Sequence, residues 1–418
     1  MPGTIAADQV SYVDLYARWE HGNWRATDID FTRDREQWQG ELTDIDRRSA
    51  LWTYSLFFHG EDSVADNLSP FIDAAPREEQ KYFLATQQVD EARHAVLFAR
   101  FMREVAGAGA DIGSSLEHTR PRLTWGFRKV FDRLDRMADE LRRDRSRPKL
   151  AQAITLYHLV IEASLAQPGQ HFIEEGLAQR DLLPGFRAGI GNVARDEQRH
   201  IAFGVKMIAD LVHEDAECEP AIADLLREIL PFTVAVFVPP GWDERYITSF
   251  GFTLEDIYTQ GAEAMEGRLR AAGLDPLTMR LGLPFDMPPA ARAARGLRLL
   301  RAGYLGEPNG GVKPDRTATA MLFDGLRRQI DAAVAPGATI QWDFSDAEPW
   351  HLQVGRASVP TSVSPGRAAD PDLTFHCRFG DWVDIAAGRT SPRSALLHGK
   401  VRPTGSLRML LRAPKLFG

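Results

Sequence analysis

Asp90-Glu91-Ala92-Arg93-His94 recurs 106 residues further on as Asp196-Glu197-Gln198-Arg199-His200. Each copy lies inside a long stretch whose apolar residues keep three- and four-residue spacing, the pattern of a helix. Glu and His three apart on an α-helix project from one face, about 60° apart around the axis, so both can reach one ion or a bridged pair. A single Glu-x-x-His is weak, because any charged helix produces it and leaves both side chains in water. The duplication carries more, since a bundle core that holds two metals needs two such helices and one inward Glu from each of two others.

The further acids stand upstream of each copy. Glu61 lies 30 residues before Glu91, within Phe57-Phe58-His59-Gly60-Glu61, and Glu162 lies 35 residues before Glu197, within Tyr157-His158-Leu159-Val160-Ile161-Glu162. Each is a carboxylate embedded in apolar surroundings, where it costs several kcal/mol unless paired or metal-bound. For Glu162 the competing reading is a buried ion pair with Arg93 or Arg199. Together Glu61, Glu91, His94, Glu162, Glu197 and His200 give four carboxylates and two imidazoles. Such donors suit two ions of iron or manganese and leave positions for dioxygen. Asp196, directly before Glu197, is placed to accept the free ring N–H of a ligand histidine, and Asp90 is placed equivalently. Arg93 and Arg199 would pair with these acids or cap the site.

A chain of 418 residues is too long for one core and predicts two or three domains. Its 44% apolar and 26% charged content is ordinary for a globular protein. No apolar run approaches the ~20 residues of a membrane span, and Met1 to Val10 lacks a basic-then-apolar leader, so a cytoplasmic protein without a transmembrane segment is expected. Cys218 and Cys377 are the two cysteines, far apart, which leaves any metal to oxygen and nitrogen donors. The net charge of −8 argues against nucleic acid as a partner. That charge is uneven: Gly311 to Gly418 holds 14 Lys and Arg against 10 Asp and Glu, and Arg389 to Gly418 holds seven basic residues and no acid. This stretch is either a solvated face or a docking surface for an acidic domain or anionic lipid.

Helical spacing predicts long helices over Ile45 to Asn67, Pro76 to Val105, Thr124 to Arg143, Pro148 to about Glu175 with a kink at Pro168, and Pro184 to His213. Shorter ones follow near Ala221 to Phe237 and Leu254 to Ala272. After Pro284, Pro288 and Pro289 comes a basic helix at Ala290 to Tyr304, and Gly306 to Pro314 reads as a linker. Beyond it the period changes to two, with strands at Ala338 to Phe344, His351 to Val354 and Leu373 to Phe379 between helices at Thr317 to Val334 and Trp382 to Ala387. The expected architecture is mainly α: a helical bundle over 1–283, a linker with a short basic helix over 284–316, and an α+β domain over 317–418.

From Tyr12 to Leu274 the metal pattern resembles the ribonucleotide reductase small subunit and the ligand-binding oxidases that share its fold, within the ferritin-like superfamily. The segment Gly22 to Asp34 is similar to that family's segment before the first bundle helix. The resemblance implies that Trp24 stands where the reductases have their electron-transfer tryptophan, next to the aspartate that Asp196 matches. The reductases' radical tyrosine lies four residues after the first ligand histidine, and here that position is Phe98. Tyr157 matches the tyrosine that the ligand-binding oxidases cross-link to a valine, whose position is Ser63 here. Glu61 with Phe98 resembles the subset that uses manganese and iron, and Fe/Fe and Mn/Fe both stay open. Arylamine N-oxygenases of the superfamily carry a further histidine four residues before the second glutamate of the repeat, where this chain has Val193.

Residues from Thr317 to Gly418 resemble a sterol-carrier-protein domain, on Phe379-Gly-Asp-Trp-Val-Asp384, Ala387-Gly-Arg389, Leu396-Leu397-His-Gly-Lys400 and Gly405-Ser-Leu-Arg-Met-Leu-Leu411. That likeness implies an apolar cavity for an acyl chain, sterol or terpenoid; a packed core serving structure or dimerisation is the other reading. The function expected is a dimetal, oxygen-dependent oxidase or monooxygenase acting on a small hydrophobic or carrier-presented substrate, with an external electron donor and a homodimeric state. Asp196, Trp24 and Tyr157 would manage its electrons and protons. An amine N-oxygenase with the same ligands, and a non-catalytic lipid carrier with a structural metal site, are the alternatives.

Overall fold

The computed structural model describes residues 11–307, 312 and 314–417. Its contacts divide the chain into two compact units, one running to Leu225 and including Val236–Asp275, the other made of Leu226–Ala235 and Pro276–Gly418. Among the described residues no helix is long and apolar enough to cross a membrane. The expected linker at Gly306 to Pro314 lies partly outside the described residues, since 308–311 and 313 are not among them.

The first unit is helical: α1 Tyr12–His21, α2 Thr32–Gly40, α3 Asp44–Asn67, α4 Ser69–Ala74, α5 Glu78–Glu104, α6 Ile112–Thr119, α7 Trp125–Arg143, α8 Arg147–Ile154, α9 Gln167–Gln179 and α10 Pro184–Glu214. After α11 (Cys218–Thr233), α12 (Arg245–Thr248) and α13 (Leu254–Ala271) complete it. Thr43 opens α3 with a capping box, its hydroxyl accepting from Asp46 N while Asp46 reaches back to the Thr43 N–H. At the head of α10, Asp34 accepts from the backbone N–H groups of Gly185 and Phe186 at 2.8 and 2.7 Å, placing an acid at the positive end of the dipole. The core beside these helices is aromatic, with Tyr54 stacked on Phe186 at 4.2 Å between centroids.

Between α8 and α9 the chain widens into a π-helical stretch over Thr155–Ala166, closed by Gln167 N–H donating to the Glu162 carbonyl. Pro168 then falls in the first turn of α9, after the departure from α geometry. Glu162 is carried by this wide stretch. Two glycines let α10 come close to its neighbours: a Cβ at Gly204 would stand 2.2 Å from His158 Cβ, and one at Gly189 would stand 2.7 Å from Leu97 Cδ1.

In the second unit, α14 (Pro289–Arg301) and α15 (Arg316–Gln329) precede a five-stranded sheet: β1 Thr339–Phe344, β2 Trp350–Gln353, β3 Ser362–Pro365, β4 Leu373–Cys377 and β5 Val401–Gly405. The order is β3-β2-β1-β4-β5, with β1 and β4 parallel and the other pairs antiparallel. Helices α16 (Phe379–Ala386), α17 (Pro392–Leu397) and α18 (Leu407–Phe417) complete the unit. Three strands were expected from the alternation, and β3 and β5 add two edges. Phe323 of α15 stacks on Trp382 at 4.4 Å and on Trp350 at 4.8 Å, and meets Trp342 edge-on at 5.2 Å. These rings belong to the hydrophobic core of this unit.

Candidate metal centre

All six donor residues expected from the sequence meet inside the first unit. Glu61 comes from α3, Glu91 and His94 from α5, Glu162 from the π-helical stretch, and Glu197 and His200 from α10. Two donor groups form: Glu61, Glu91, His94 and Glu197, and Glu91, Glu162, Glu197 and His200, with the ligand atoms of each group within 4.8 Å of one another and every residue buried. Glu91 and Glu197 belong to both. That sharing follows from the repeat, because each Glu-x-x-His helix contributes one central carboxylate and one flanking imidazole.

The two histidines are oriented by a crossed pair of aspartates. His94 Nε2 lies 3.1 Å from Asp196 Oδ2, and His200 Nε2 lies 3.1 Å from Asp90 Oδ2, so each ring on one helix is held by the acid of the other. Each Nδ1 consequently faces the carboxylates: Glu61 at 3.2 Å and Glu91 at 3.4 Å for His94, Glu91 at 3.2 Å and Glu162 at 3.4 Å for His200. Arg93 bonds both Asp90 and Asp196, and Arg199 bonds the same two acids. The arginines thus neutralise the aspartates and, among the described residues, the competing pairing of Glu162 with either one does not occur.

Trp24 Nε1 donates to Asp196 Oδ2 at 2.8 Å, its ring 6.2 Å from that of His94, and the Arg93 guanidinium lies 5.0 Å over it. The position read for Trp24 therefore places it on the aspartate that holds His94. Tyr157 donates to Glu91 Oε1 at 2.7 Å and is fully buried. Phe98 is buried and stacks on Phe57 at 6.0 Å, and Val193 is buried too.

Three partners escaped the sequence reading. Trp19 Nε1 donates to Asp90 Oδ1 at 2.9 Å, which mirrors Trp24 on the opposite aspartate. Gln87 Nε2 donates to Glu162 Oε1 at 2.8 Å, and His158 Nε2 lies 3.1 Å from Gln87 Oε1. Gln87 and His158 each stand four residues before a ligand glutamate, on the same helix face, a signal that could have found them. Trp19 gave no such signal, since its bond spans 71 residues.

The electrostatics are those of an acid cluster short of positive charge. Burial, reinforced by Glu197, holds the carboxyls of Glu61 and Glu162 well above the usual range. Burial acts the same way on Glu91, but His200 and His94 outweigh it and hold it well below. Burial opposes charge on the histidines, yet the facing acids raise His94 and His200 well above the ordinary imidazole value. His158, buried and beside His200, is pushed down to about 3. Among the described residues Glu162 Oε2 has no hydrogen-bond partner. With the aspartates matched by arginines, four glutamates remain against two imidazoles, and two divalent ions would balance them. The donor set fits a pair of metals.

A cavity opens on the carboxylate side. It encloses about 510 Å³ of empty space, counted to its open mouth, and Glu61, Glu91, Glu162 and Glu197 line it together with hydrocarbon from residues such as Phe57, Val64, Phe127, Phe131, Ile161 and Phe237. Among the described residues no Lys, Arg or His lines it. The histidines and their aspartates stand outside its wall.

A helical bundle with two crossed Glu-x-x-His helices and two further glutamates is a ferritin-like dimetal-carboxylate protein. Within that class, residues 7–232 match the model of the ribonucleotide reductase small chain, more than half of the sequence, and the chain belongs to that family. Residues 327–418 match the SCP-2 sterol transfer family. Among solved structures the chain is similar to an R2-like ligand-binding oxidase from Sulfolobus acidocaldarius, at 24% identity and a TM-score of 0.53 over 67% of this chain and 93% of that one. It is also similar to variants of R2-like ligand-binding oxidase with aerobically or anaerobically reconstituted Mn/Fe cofactor, at 24% identity and TM-scores of 0.53 and 0.54, covering 94% of those chains. These likenesses confirm the fold.

Proposed function

We propose that this chain is an oxygen-dependent oxidoreductase that holds two metal ions, Fe/Fe or Mn/Fe, and oxidises or oxygenates a small, mainly apolar substrate. The observation that carries the reading is the junction of two features: paired donor groups sharing Glu91 and Glu197, and an apolar cavity whose charged lining is those same glutamates and their two outer partners. The Mn/Fe cofactor of the R2-like ligand-binding oxidases supports the choice of metals. When bound, the ions supply the redox chemistry and activation of dioxygen that side chains lack.

The remaining roles belong to this chain's own groups. Hydrocarbon walls bind the substrate and exclude water, and the absence of a cation from the lining favours a neutral group near the carboxylates. Asp196 and Asp90 fix the histidine tautomers. Half-buried Trp24 connects Asp196 toward the surface, a route for electrons from an external donor. Tyr157 keeps its proton, because burial and Glu91 hold its hydroxyl far above the ordinary value, and offers it at Glu91 Oε1. Buried hydrocarbon at Val193 gives the N-oxygenase alternative no support. A homodimeric, cytoplasmic state belongs to the same proposal.

The test is anaerobic loading with ferrous iron, alone or with manganese, followed by oxygen. Oxygen uptake, with a transient absorption whose decay rate responds to apolar candidate substrates, is the expected result. Two tightly bound ions with no oxygen consumption would establish the non-catalytic carrier instead.

A further inference from the structure

The end of the chain combines charge and hydrocarbon in a way the metal chemistry does not use. Residues 392–417 form α17, the edge strand β5, which pairs with β4 alone, and α18, whose Phe417 meets Trp342 of β1. At about 100° per residue, α18 turns Met409, Ala413 and Leu416 into the core. Leu407 and Leu411 lie on the opposite side, 69% and 73% exposed, and the arc beside them holds Arg408, Arg412 and Lys415. Leu396 and Leu397 of α17 are 40% and 76% exposed. Arg393, Arg402, Arg408, Arg412 and Lys415 make no ion pair with an acid among the described residues, and no acid occurs after Asp384.

A purely solvated face would carry charges without the leucines, and a purely apolar contact would exclude the charges. Leucines flanked by unpaired bases match an interface where apolar side chains enter an acyl boundary and cations meet anionic headgroups. We propose that this face docks the protein on an anionic lipid bilayer. The basic surplus stands out on a chain whose net charge is −8, which makes the attraction local to this edge. The inference stands apart from the metal reading, because it needs neither ions nor oxygen.

Flotation of the full-length chain, metal-free and metal-loaded, with vesicles of phosphatidylcholine alone or mixed with phosphatidylglycerol tests it. Both forms should float with the mixed vesicles, stay behind with phosphatidylcholine, and be released by salt. Arg408→Gln with Arg412→Gln should weaken binding by about twenty-fivefold, at about fivefold per base. Leu407→Ser with Leu411→Ser should weaken it at least about tenfold. Unchanged melting temperatures keep both pairs interpretable, and Leu397→Ser serves as a third variant if either pair fails to fold. No flotation, equal flotation with neutral vesicles, or variants that float like the parent overturn the proposal. Variants that alter only the mass in solution, measured by light scattering, would assign the face to a second copy and overturn it as well.

Discussion

Glu162→Gln should raise the stability of the metal-free protein while removing much of its stabilisation by metal. In the apo cluster Glu162 Oε1 accepts from Gln87, but Oε2 has no partner, and Glu197 and Glu91 repel the charge. An amide of the same shape keeps the Gln87 contact and abolishes the repulsion, a gain of about 1–3 kcal/mol for a buried polar group relieved of its mismatch. At about 2–4 °C per kcal/mol for a unit of this size, the metal-free variant should melt about 2–12 °C above the parent. Metal at a hundredfold excess over its dissociation constant should add about 2.7 kcal/mol to the parent, or about 5–10 °C, and less than half of that to the variant, which keeps the other donor group. Calorimetry with and without ferrous or manganous ion measures both quantities. Because the Glu162 carboxyl is raised in the folded state, the metal-free parent gains stability as pH falls from neutrality toward the ordinary carboxylate value, and its deficit against the variant should narrow. A metal-free variant several degrees less stable than the parent, or one with the full metal response, would refute the assignment of Glu162 to the ion rather than to structure.

Trp19→Phe and Trp24→Phe each remove an indole N–H from an aspartate that orients a ligand histidine, and each should lower metal affinity by about 10–100-fold in calorimetric titration, with Trp19→Phe acting on the position nearer His200. Ala166→Phe fills part of the apolar cavity and should weaken binding of an apolar probe by at least about tenfold while metal content, measured by mass spectrometry, stays at two ions. Asp46, held down to about 2 by Arg180 and Thr43 against the opposing effect of burial, contributes stability that is present above the ordinary carboxylate value and lost as pH falls toward 2. Since Arg180 is 41% exposed, the contribution is about 1 kcal/mol after screening, and Asp46→Asn should flatten the acid limb of the melting curve accordingly.

The six donors were legible because ligand chemistry imposes residue type and helix geometry imposes spacing, and two copies of one spacing are hard to produce otherwise. The helices that carry them were legible from apolar residues at three- and four-residue spacing, and the cap at Thr43 and the acids opening α5 agree with that reading. The π-helical stretch was hidden. Thr155–Ala166 is buried almost all round, so no polar face marks its period and a wider turn leaves no trace in the pattern. β3 and β5 were hidden by Pro365 and by Pro403 with Gly405, which edge strands tolerate and central ones do not. Trp19 was hidden by distance along the chain. The aromatic packing of Phe323 against Trp342, Trp350 and Trp382 was likewise beyond a two-residue alternation, which registers inward positions without showing what fills the space between them.

The crossed aspartates make the histidine half of the centre close to a mirror image of itself: two rings, two acids, two arginines that each touch both acids, and one indole per acid. A displacement of α5 against α10 would therefore disturb both ion positions alike. The symmetry breaks on the other half, where Glu61 rides a regular helix and Glu162 a widened one, and where, among the described residues, Gln87 on Glu162 and Tyr157 on Glu91 have no counterparts at Glu61 and Glu197. The carboxylate half is also the half that faces the cavity, so a molecule entering there meets the two positions as unequal.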